Sequence, residues 1–462
     1  MFNKDVYVNR REKLKSIIKE GVIILPGNQQ SPRNYRGNDY HFEQDSNFLY
    51  YFGIDIPNLM GIIDIDNNKE YIFGKDYTLD DIVWSGEQKL LKEFAHDSGV
   101  DNFIELSELE SFANQLLKEE RKLLFLPQCR ADLVLQLSKL FGLNPFDFSK
   151  HTSEKLIKAI VSQRNIKSQL EIDEIENAVN ITRLMHLEAM KSVKAGMKEY
   201  EVVAKVEAIA KMYNASTSFF TIFTNHGETL HNHSHNHILK DGEMVLLDCG
   251  ARNENGYCGD MTTSFPVSGK FSPIQKDIYS LLIEMFDKAA SLIRPGITYK
   301  EVHLEVAKVL VQGMIKRNLM KGDVQKAVEC GAHAIFMPHG LGHMLGLDVH
   351  DMEGLGENYV GYGDELQRST QFGLKSLRLG RTLQTGFIFT VEPGIYFIPE
   401  LIKRWKNENK FSEFLNYEEI EKYSNFGGMR YEGNFVITET GARRLGEKMP
   451  KTPEEVEEAM RD

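Results

Sequence analysis

The feature of the sequence that most constrains its fold is an internal repeat. The segment SVKAGMKEYEVVAKVEA begins at Ser192, and the segment LIRPGITYKEVHLEVAK begins at Leu292. Each places a glycine five residues before a Glu-Val pair that opens a helix-like pattern. The residues are Gly196 and Glu201 in the first copy, and Gly296 and Glu301 in the second. A glycine before an amphipathic helix is common, so this match alone is weak evidence for a duplication.

Acidic residues at strand ends extend the repeat. Asp248 and Glu392 each follow a glycine by six residues, in GEMVLLD and GFIFTVE. Asp260 and Glu432 each precede a glycine by nine residues, in DMTTSFPVSG and EGNFVITETG. Each half therefore has a helix, a strand ending in an acid, a turn, and a strand beginning with an acid. We predict a duplicated α+β unit with a pseudo-two-fold axis that brings the four acids together.

Four converging acids indicate a metal site. A buried, unpaired carboxylate is costly, so such groups are paired, neutralised or bound to metal. The alternative is that each acid caps a turn at its strand end, but the repeated pattern disfavours it. Two divalent ions would balance four carboxylates, and oxygen-rich ligation favours Mn²⁺ or Co²⁺ over a thiolate zinc site. Ions roughly 3.5–4 Å apart can share a hydroxide and polarise a carbonyl.

Histidines supply further candidates. The segment PHGLGHMLGLDVHD contains His339, His343 and His350, beside glycines that would let the backbone approach a site closely. A single histidine is more often a structural core residue, but three this close together favour a functional role. The segment ETLHNHSHNH places four histidines at alternate positions from His231 to His237. Their spacing alone leaves both metal binding and a polar loop open.

The first part of the chain has a different pattern. SNFLYYFGI, LMGIIDID and KEYIFG are predicted as strands, and SELESFANQLLKEERKLLFL as a helix running into a strand. From residue 154 a long helical pattern extends toward Gly196. We therefore predict a smaller α/β domain over residues 1–153 and a second domain over residues 154–462.

Charge and cysteine content exclude several functions. The chain has 55 Lys and Arg against 67 Asp and Glu, for a net charge of -12. Nucleic acid is therefore not expected as a partner, because phosphate binding needs a basic surface. The sequence has neither a signal-peptide pattern nor a membrane-length apolar run, so a cytoplasmic protein without a membrane partner is expected. None of its 4 cysteines forms a CxxC pair, so no disulfide framework is indicated.

Together these motifs resemble a known family. PHGLGHMLGLDVHD, TVEPGIYF, LLDCGA with GYCGDMTTSFP, and GGMRYEGNFVIT resemble the pita-bread metallopeptidases of the aminopeptidase P and prolidase group. The resemblance covers residues 160–462. The earlier segment NDYHFEQDSNFLYYFGIDIP resembles the N-terminal domain of aminopeptidase P. The resemblance implies a pita-bread catalytic domain preceded by that smaller domain.

The resemblance also implies a role for each candidate. Two divalent ions are implied, with Mn²⁺ preferred over Co²⁺ and Zn²⁺. Asp248 would bind one ion, His343 and Glu392 the other, and Asp260 and Glu432 both. A hydroxide between the ions would attack the scissile carbonyl, with Glu392 as the proton acceptor. The residues expected to contact substrate are His231, His339, His350, Arg378 and Arg430, of which His231 and His350 are also expected to be catalytic.

Two details depart from the family pattern. His233, His235 and His237 match no family role, so we expect them to form a polar loop. Asp248 and Asp260 are 12 residues apart, one more than the family usually shows. The extra residue is expected in the turn RNENG. A shift of the strand pairing by one residue would instead turn Asp260 away from the metals.

The resemblance leaves two substrate classes open. Aminopeptidase P releases the first residue from Xaa-Pro peptides, whereas prolidase accepts only Xaa-Pro dipeptides and must bind their free carboxylate. Arg378 lies 14 residues before Glu392, where prolidases carry a carboxylate-binding arginine, and residues 400–427 resemble the longer prolidase tail. The N-terminal domain favours aminopeptidase P. We therefore predict an Xaa-Pro aminopeptidase acting on proline-containing peptides, with prolidase as the alternative.

More distant alternatives are a metal-free pita-bread binding protein and a metal-free hydrolase of the creatinase type. Both are disfavoured because all five ligand positions are occupied by suitable residues. The resemblance further implies a homodimer or homotetramer.

Overall fold

The computed structural model describes residues 2–461. The chain divides into two compact units: unit 1 is Met1–Arg164 with Gly354–Tyr359, and unit 2 is Asn165–Glu353 with Val360–Asp462. The predicted domain boundary between residues 153 and 154 lies just before the last helix of unit 1, and it stays a prediction. Within residues 2–461, no helix has both the length and the apolar character needed to cross a membrane.

Unit 1 is an α/β unit built on a five-stranded mixed sheet of order β4-β3-β2-β1-β5. Its strands are β1 (Val22–Pro26), β2 (Met60–Asp64), β3 (Lys69–Gly74), β4 (Asn102–Glu105) and β5 (Leu123–Leu124). Its helices are α1 (Lys4–Ile18), α2 (Ser46–Phe52), α3 (Leu79–Ser85), α4 (Leu91–Ser98), α5 (Leu109–Lys118), α6 (Ala131–Phe141) and α7 (Glu154–Arg164). The strands predicted from LMGIIDID and KEYIFG are confirmed as β2 and β3.

The strand predicted from SNFLYYFGI is wrong, because this segment forms helix α2. The Asp45 side chain accepts hydrogen bonds from the backbone N–H groups of Asn47 and Phe48, which caps the helix start. Gly53 ends the helix with a φ of 67°. The aromatic run suggested a strand, but its two ends carry strong helix-capping residues.

Unit 2 contains the repeat. Its helices are α8 (Gln169–Ser192), α9 (Glu199–Met212), α10 (Pro273–Leu292), α11 (Tyr299–Lys316), α12 (Val324–Cys330), α13 (Pro399–Asn407), α14 (Tyr417–Ile420) and α15 (Pro453–Ala459). Its strands are β6 (Ser216–Thr217), β7 (Ile222–Thr224), β8 (Met244–Cys249), β9 (Ala251–Arg252), β10 (Met261–Pro266), β11 (Ile388–Val391), β12 (Gly394–Tyr396), β13 (Gly428–Arg430), β14 (Gly433–Ile437) and β15 (Ala442–Arg444).

The duplicated α+β arrangement is confirmed, and its helix motif has a physical cause. Glu201 and Glu301 each accept the backbone N–H of the residue that caps their helix, Lys198 and Thr298, at 2.7 and 3.0 Å. This bond from the glutamate to the capping residue's N–H explains why the glutamate recurs at the same place in α9 and α11. Helical structure was predicted from residue 154 onward. The structure has two helices there, α7 and α8, and not one continuous helix.

Antiparallel strand pairs place the acids in each half. Strand β8 lies between β7 and β10, and β14 lies between β11 and β15. Asp248 pairs with Thr262 in the β8–β10 register, and the pairing continues to Arg252 opposite Cys258. Because side chains alternate between faces, Asp260 lies on the same face as Thr262 and Asp248.

The residues between the two acids form a hairpin loop. The Asn253 N–H donates to the Tyr257 carbonyl at 2.9 Å, which leaves a three-residue loop. Gly256 has a φ of 85° in this loop, the left-handed conformation that three-residue hairpins use. The long spacing is therefore taken up in the loop, and Asp260 keeps its orientation toward Asp248.

Candidate metal centre and active site

All of the predicted site residues line one cavity of unit 2. Its volume is about 410 Å³. The acids and histidines of this set are Asp248, Asp260, Glu392, Glu432, His231, His339, His343 and His350, and its arginines are Arg378 and Arg430. Residues that are up to 201 positions apart in the sequence are thus brought to a single site.

The strand ends carry the four acids into this cavity. Asp248 lies in β8, and Asp260 immediately precedes β10. Glu392 immediately follows β11, and Glu432 immediately precedes β14. The β11–β14 register pairs Val391 with Gly433, so Glu392 and Glu432 are the next opposed pair.

His343 reaches the acids because its segment runs along β11. The backbone N–H of Thr390 donates to the His343 carbonyl at 3.0 Å, and that of Glu392 donates to the Leu341 carbonyl at 2.9 Å. A Cβ atom at Gly342 would lie 2.1 Å from the Thr390 carbonyl oxygen, so this close approach requires glycine.

The His343 ring is oriented as a metal ligand would be. Its Nε2 lies 3.3 Å from Asp260 Oδ2 and 3.5 Å from Glu392 Oε1. Its Nδ1 donates to the Met344 carbonyl at 3.0 Å, which leaves the lone pair on Nε2, facing the acids.

The residues present fit a bound cation. One ligand atom each from Asp260, His343 and Glu432 lies within 4.8 Å of the other two. Asp260 Oδ1 and Glu432 Oε1 are buried and have no hydrogen-bond partner among residues 2–461. Burial, followed by repulsion from the neighbouring acids, raises the pKa of Asp260 and of Glu432 well above the usual range. A divalent ion would satisfy these oxygens and offset both causes.

Asp248 differs from its neighbours in having a buried cationic partner. Arg430 Nη2 donates to Asp248 Oδ2 at 2.6 Å, and its Nε donates to Thr262 Oγ1 at 3.1 Å. The Thr262 hydroxyl in turn donates to Glu432 Oε2 at 2.7 Å. Arg430 therefore fixes one acid directly and another through a hydroxyl.

Tyr396 is a site residue that the sequence reasoning missed. Burial raises its pKa to about 12, so the hydroxyl keeps its proton. Arg430 Nη1 donates to Tyr396 Oη at 2.7 Å, so the Tyr396 proton is available to His339 Nε2, 2.9 Å away. His339 Nδ1 then donates to the Gly340 carbonyl at 2.8 Å, and burial lowers the pKa of His339 to about 4. This chain fixes a neutral imidazole in one tautomer. The sequence feature that could have identified Tyr396 was its position four residues after Glu392 in the motif TVEPGIYF.

A Tyr396→Phe variant should lower kcat/KM for peptide hydrolysis by about 10–100-fold, as loss of a residue supporting a metal site typically does. The substitution removes the hydroxyl that connects Arg430 to His339 and keeps the ring. The measurement is steady-state hydrolysis of a proline-containing tripeptide. Tyr423→Phe is the control, because that ring stacks on Phe397, whereas the Tyr396 ring contacts His339. Equal kcat/KM for the two variants would contradict this role.

Glu353 is a second missed residue, three positions after His350. Its Oε2 accepts from His350 Nδ1 at 2.5 Å and from Arg378 Nε at 3.3 Å. The hydrogen bond from His350 is the largest cause that lowers the pKa of Glu353 to about 2. An ionised Glu353 thus holds two cavity-lining residues together.

His233, His235 and His237 lie in a segment without regular secondary structure. His235 Nε2 donates to the Thr221 carbonyl at 3.0 Å, and His237 Nδ1 lies 3.0 Å from Glu199 Oε2. These two bonds agree with a loop held by polar contacts. His233, however, lines the cavity beside His231.

Comparisons with known proteins agree with this geometry. The pattern of metallopeptidase family M24 matches residues 173–439, and that of the aminopeptidase P N-terminal domain matches residues 7–125. Human Xaa-Pro dipeptidase is 30% identical over 99% of this chain and 92% of its own length. Escherichia coli Xaa-Pro aminopeptidase is 29% identical over 99% of this chain and 98% of its own.

Solved structures give the same result. Zinc-substituted E. coli aminopeptidase P in complex with product has a TM-score of 0.82 at 27% identity, over 99% of this chain and 98% of that one. Proline aminopeptidase P II from Yersinia pestis has a TM-score of 0.81 at 26% identity, over 100% of both chains. The pita-bread fold and the metallopeptidase class predicted from the sequence are confirmed, and the chain belongs to metallopeptidase family M24.

Proposed function

We propose that the protein is a dinuclear metallo-exopeptidase that hydrolyses the Xaa-Pro bond at the N-terminus of peptides. The observation that carries this proposal is the single cavity that all of the predicted ligands and substrate-binding residues line. Two similar proteins also support it: an Xaa-Pro aminopeptidase and an Xaa-Pro dipeptidase each match 99% of the chain.

The proposed ligands are Asp248, Asp260, His343, Glu392 and Glu432, for two divalent ions with Mn²⁺ preferred over Co²⁺ and Zn²⁺. Such ions, when bound, lower the pKa of a coordinated water and polarise a carbonyl. Oxygen-rich ligation with one imidazole suits ions of this hardness.

The side chains around the ligands would perform the remaining steps. Burial raises the pKa of Glu392, but nearby positive charge, including that of Arg430, lowers it overall, so the carboxylate is ionised and would accept a proton from the attacking water. His350 bonds Glu353 through Nδ1, so it would donate from Nε2 to the scissile carbonyl oxygen as the doubly protonated imidazolium; burial lowers the pKa of His350, and Glu353 favours the charged form. His231 would hydrogen-bond the peptide and orient it, and His339, whose two ring nitrogens bond Tyr396 and Gly340, would contact the peptide through the face of its ring.

A strict dipeptidase is the second candidate, and one observation favours it. Arg378 lines the cavity, where its guanidinium could bind the free carboxylate of a dipeptide through two parallel hydrogen bonds. The match of residues 7–125 to the aminopeptidase P N-terminal domain favours the aminopeptidase. We prefer the aminopeptidase on this ground.

Comparing a dipeptide with a tripeptide tests both candidates. The Mn-loaded protein is expected to release the first residue from a tripeptide such as Arg-Pro-Pro as well as to cleave Gly-Pro. In an aminopeptidase, Arg378→Ala should change tripeptide hydrolysis less than dipeptide hydrolysis. Arg404→Ala is the matched control, because that side chain is exposed on α13 and pairs with Glu408. Cleavage of Gly-Pro alone, lost in Arg378→Ala but not in Arg404→Ala, would establish the dipeptidase instead.

Three other features also belong to this proposal. They are a cytoplasmic location, assembly as a homodimer or homotetramer, and a domain boundary between residues 153 and 154. The net charge of -12 supports the expectation that the partners are peptides and not nucleic acid.

A further inference from the structure

A buried ion pair lies outside the set of proposed ligand and substrate-binding residues. Lys167 Nζ lies 2.7 Å from Asp351 Oδ2, and both side chains are 1% exposed. Lys167 is the only buried lysine among residues 2–461. Removing two charges from water costs much of the free energy that their attraction returns, so such a pair adds little stability compared with apolar residues. It does fix the position of both side chains, because each buried charge needs its partner close by.

The Asp351 carboxylate lies inside a folded loop, residues 344–353. The Asp351 N–H donates to the Met344 carbonyl at 3.0 Å, and Asp351 Oδ1 accepts from the Asp348 N–H at 3.4 Å. A Cβ atom at Gly346 would lie 2.5 Å from Asp351 Oδ2, so the loop packs directly against the carboxylate. The ion pair therefore anchors the 344–353 loop from within.

Lys167 is itself fixed beside the strand that leads to the metal centre. Its backbone N–H donates to the Gly386 carbonyl at 2.9 Å, two residues before β11 begins. The 344–353 loop bonds the same strand, because the Leu345 N–H donates to the Ile388 carbonyl at 3.0 Å. Both ends of the ion pair are thus held against β11, which leaves the loop little freedom to shift.

The last part of the loop carries two residues of the active site. His350 directly precedes Asp351, and the Glu353 N–H donates to the His350 carbonyl at 3.1 Å. Met352, just before Glu353, has a φ of 61°, a left-handed conformation that is costly for a residue other than glycine. Such a conformation persists only where its surroundings hold it. The ion pair of the adjacent Asp351 holds this turn.

We propose that Lys167 and Asp351 are positioning residues for His350: their ion pair holds the 344–353 loop so that the His350 ring faces the cavity. This inference rests on the proposed function and adds to it two residues that act without touching the substrate. At 1% exposure neither side chain can contact a peptide. Any effect on the reaction must therefore pass through the residues that the loop carries.

Removing both charges together tests the inference. Lys167→Met combined with Asp351→Asn leaves no unpaired buried charge, so the protein is expected to fold. For the Mn-loaded protein, kcat for Arg-Pro-Pro should fall by about 10–100-fold, as a misplaced catalytic group causes. KM should change little, because the donor acts on charge that develops during the reaction. Lys167→Arg, which keeps a cation opposite Asp351, should keep most of kcat.

The matched control removes a second Lys–Asp pair of the same length. Lys451 Nζ lies 2.7 Å from Asp287 Oδ1 at the surface, where the side chains are 31% and 52% exposed. Lys451→Met combined with Asp287→Asn should keep the kcat of the unmodified protein. Thermal unfolding of both double variants with and without Mn²⁺ should show the same stabilisation by the ion, because no proposed ligand is changed.

A His350→Ala background separates positioning from general damage to the protein. If the pair acts through His350, the Lys167→Met and Asp351→Asn substitutions should lower kcat no more than about twofold further in that background. An unchanged kcat in the double variant, an equal fold-loss in both backgrounds, or loss of cooperative unfolding would overturn this inference and leave the proposed function standing. Failure of the unmodified protein to cleave either Arg-Pro-Pro or Gly-Pro would overturn both.

Discussion

Replacing Glu432 with glutamine is expected to abolish peptide hydrolysis and to raise the melting temperature of the metal-free protein. Glu432 and Asp260 are both buried, and each has a carboxylate oxygen without a hydrogen-bond partner among residues 2–461. Glutamine removes one of the mutually repelling charges, and its amide can donate to a neighbouring acid. The same change removes a proposed ligand, so the loss of kcat/KM should exceed the roughly 100-fold that loss of a supporting residue costs.

The measurement is thermal unfolding of the protein with and without Mn²⁺, after chelator treatment. Relief of one unsatisfied buried group is worth about 1–3 kcal/mol, which corresponds to about 1–3 °C in a protein of this size. Mn²⁺ should raise the melting temperature of the unmodified protein, because a ligand that binds only the folded state stabilises it, and should have little effect on Glu432→Gln.

Glu439→Gln is the matched control, because this exposed glutamate lies just after the same strand, β14. It should keep both activity and the response to Mn²⁺. A Glu432→Gln variant that is less stable than the unmodified metal-free protein would show that the charge is already compensated by the fold. The assignment of Glu432 to the metal centre would then fail.

Replacing Arg430 with methionine should destabilise the metal-free protein by about 3–5 kcal/mol, the usual cost of removing one partner of a buried ion pair. Arg430 and Asp248 are both buried, and Arg430 Nη2 lies 2.6 Å from Asp248 Oδ2. Without the guanidinium, Asp248 loses its cationic partner and Tyr396 loses a donor. Denaturant unfolding monitored by the fluorescence of Trp405, which lies in unit 2, would report this change.

Two variants make this prediction specific. Arg443→Met removes an arginine of the neighbouring strand β15 that pairs with Glu176 at the surface, and it should cost no more than about 1 kcal/mol. Adding Asp248→Asn to Arg430→Met should recover part of the lost stability, because it removes the uncompensated charge. Strict additivity of the two substitutions would show that the pair is not coupled.

The central part of the site could be predicted because its residues lie in short, spaced motifs. Asp248, Asp260, Glu392 and Glu432 occupy equivalent places in two copies of one strand pattern, so the repeat itself predicted their convergence. His343 could be predicted because glycines flank it, and Gly342 proved necessary for its approach to Thr390. The four acids and His343 all line the same cavity.

Residues whose role is to hydrogen-bond another site residue were harder to predict from the sequence. Tyr396 lies within TVEPGIYF and Glu353 lies three residues after His350, but these positions alone predict no role, and the importance of both comes from hydrogen bonds to His339, Arg430 and His350. The N-terminal helix α2 was missed for a local reason: its aromatic run favours a strand, whereas Asp45 and Gly53 at its ends favour a helix.

The sequence by itself determined the duplicated fold, the acids and imidazole that line the candidate metal centre, and the family, because these depend on strand and helix periods that repeat along the chain. Only the tertiary structure decided which partners hold those residues. It placed Arg430 against Asp248, Glu353 between His350 and Arg378, and two histidines of an apparently idle run against Phe220. Such contacts join segments far apart in the chain, and they depend on distances that periodicity does not encode.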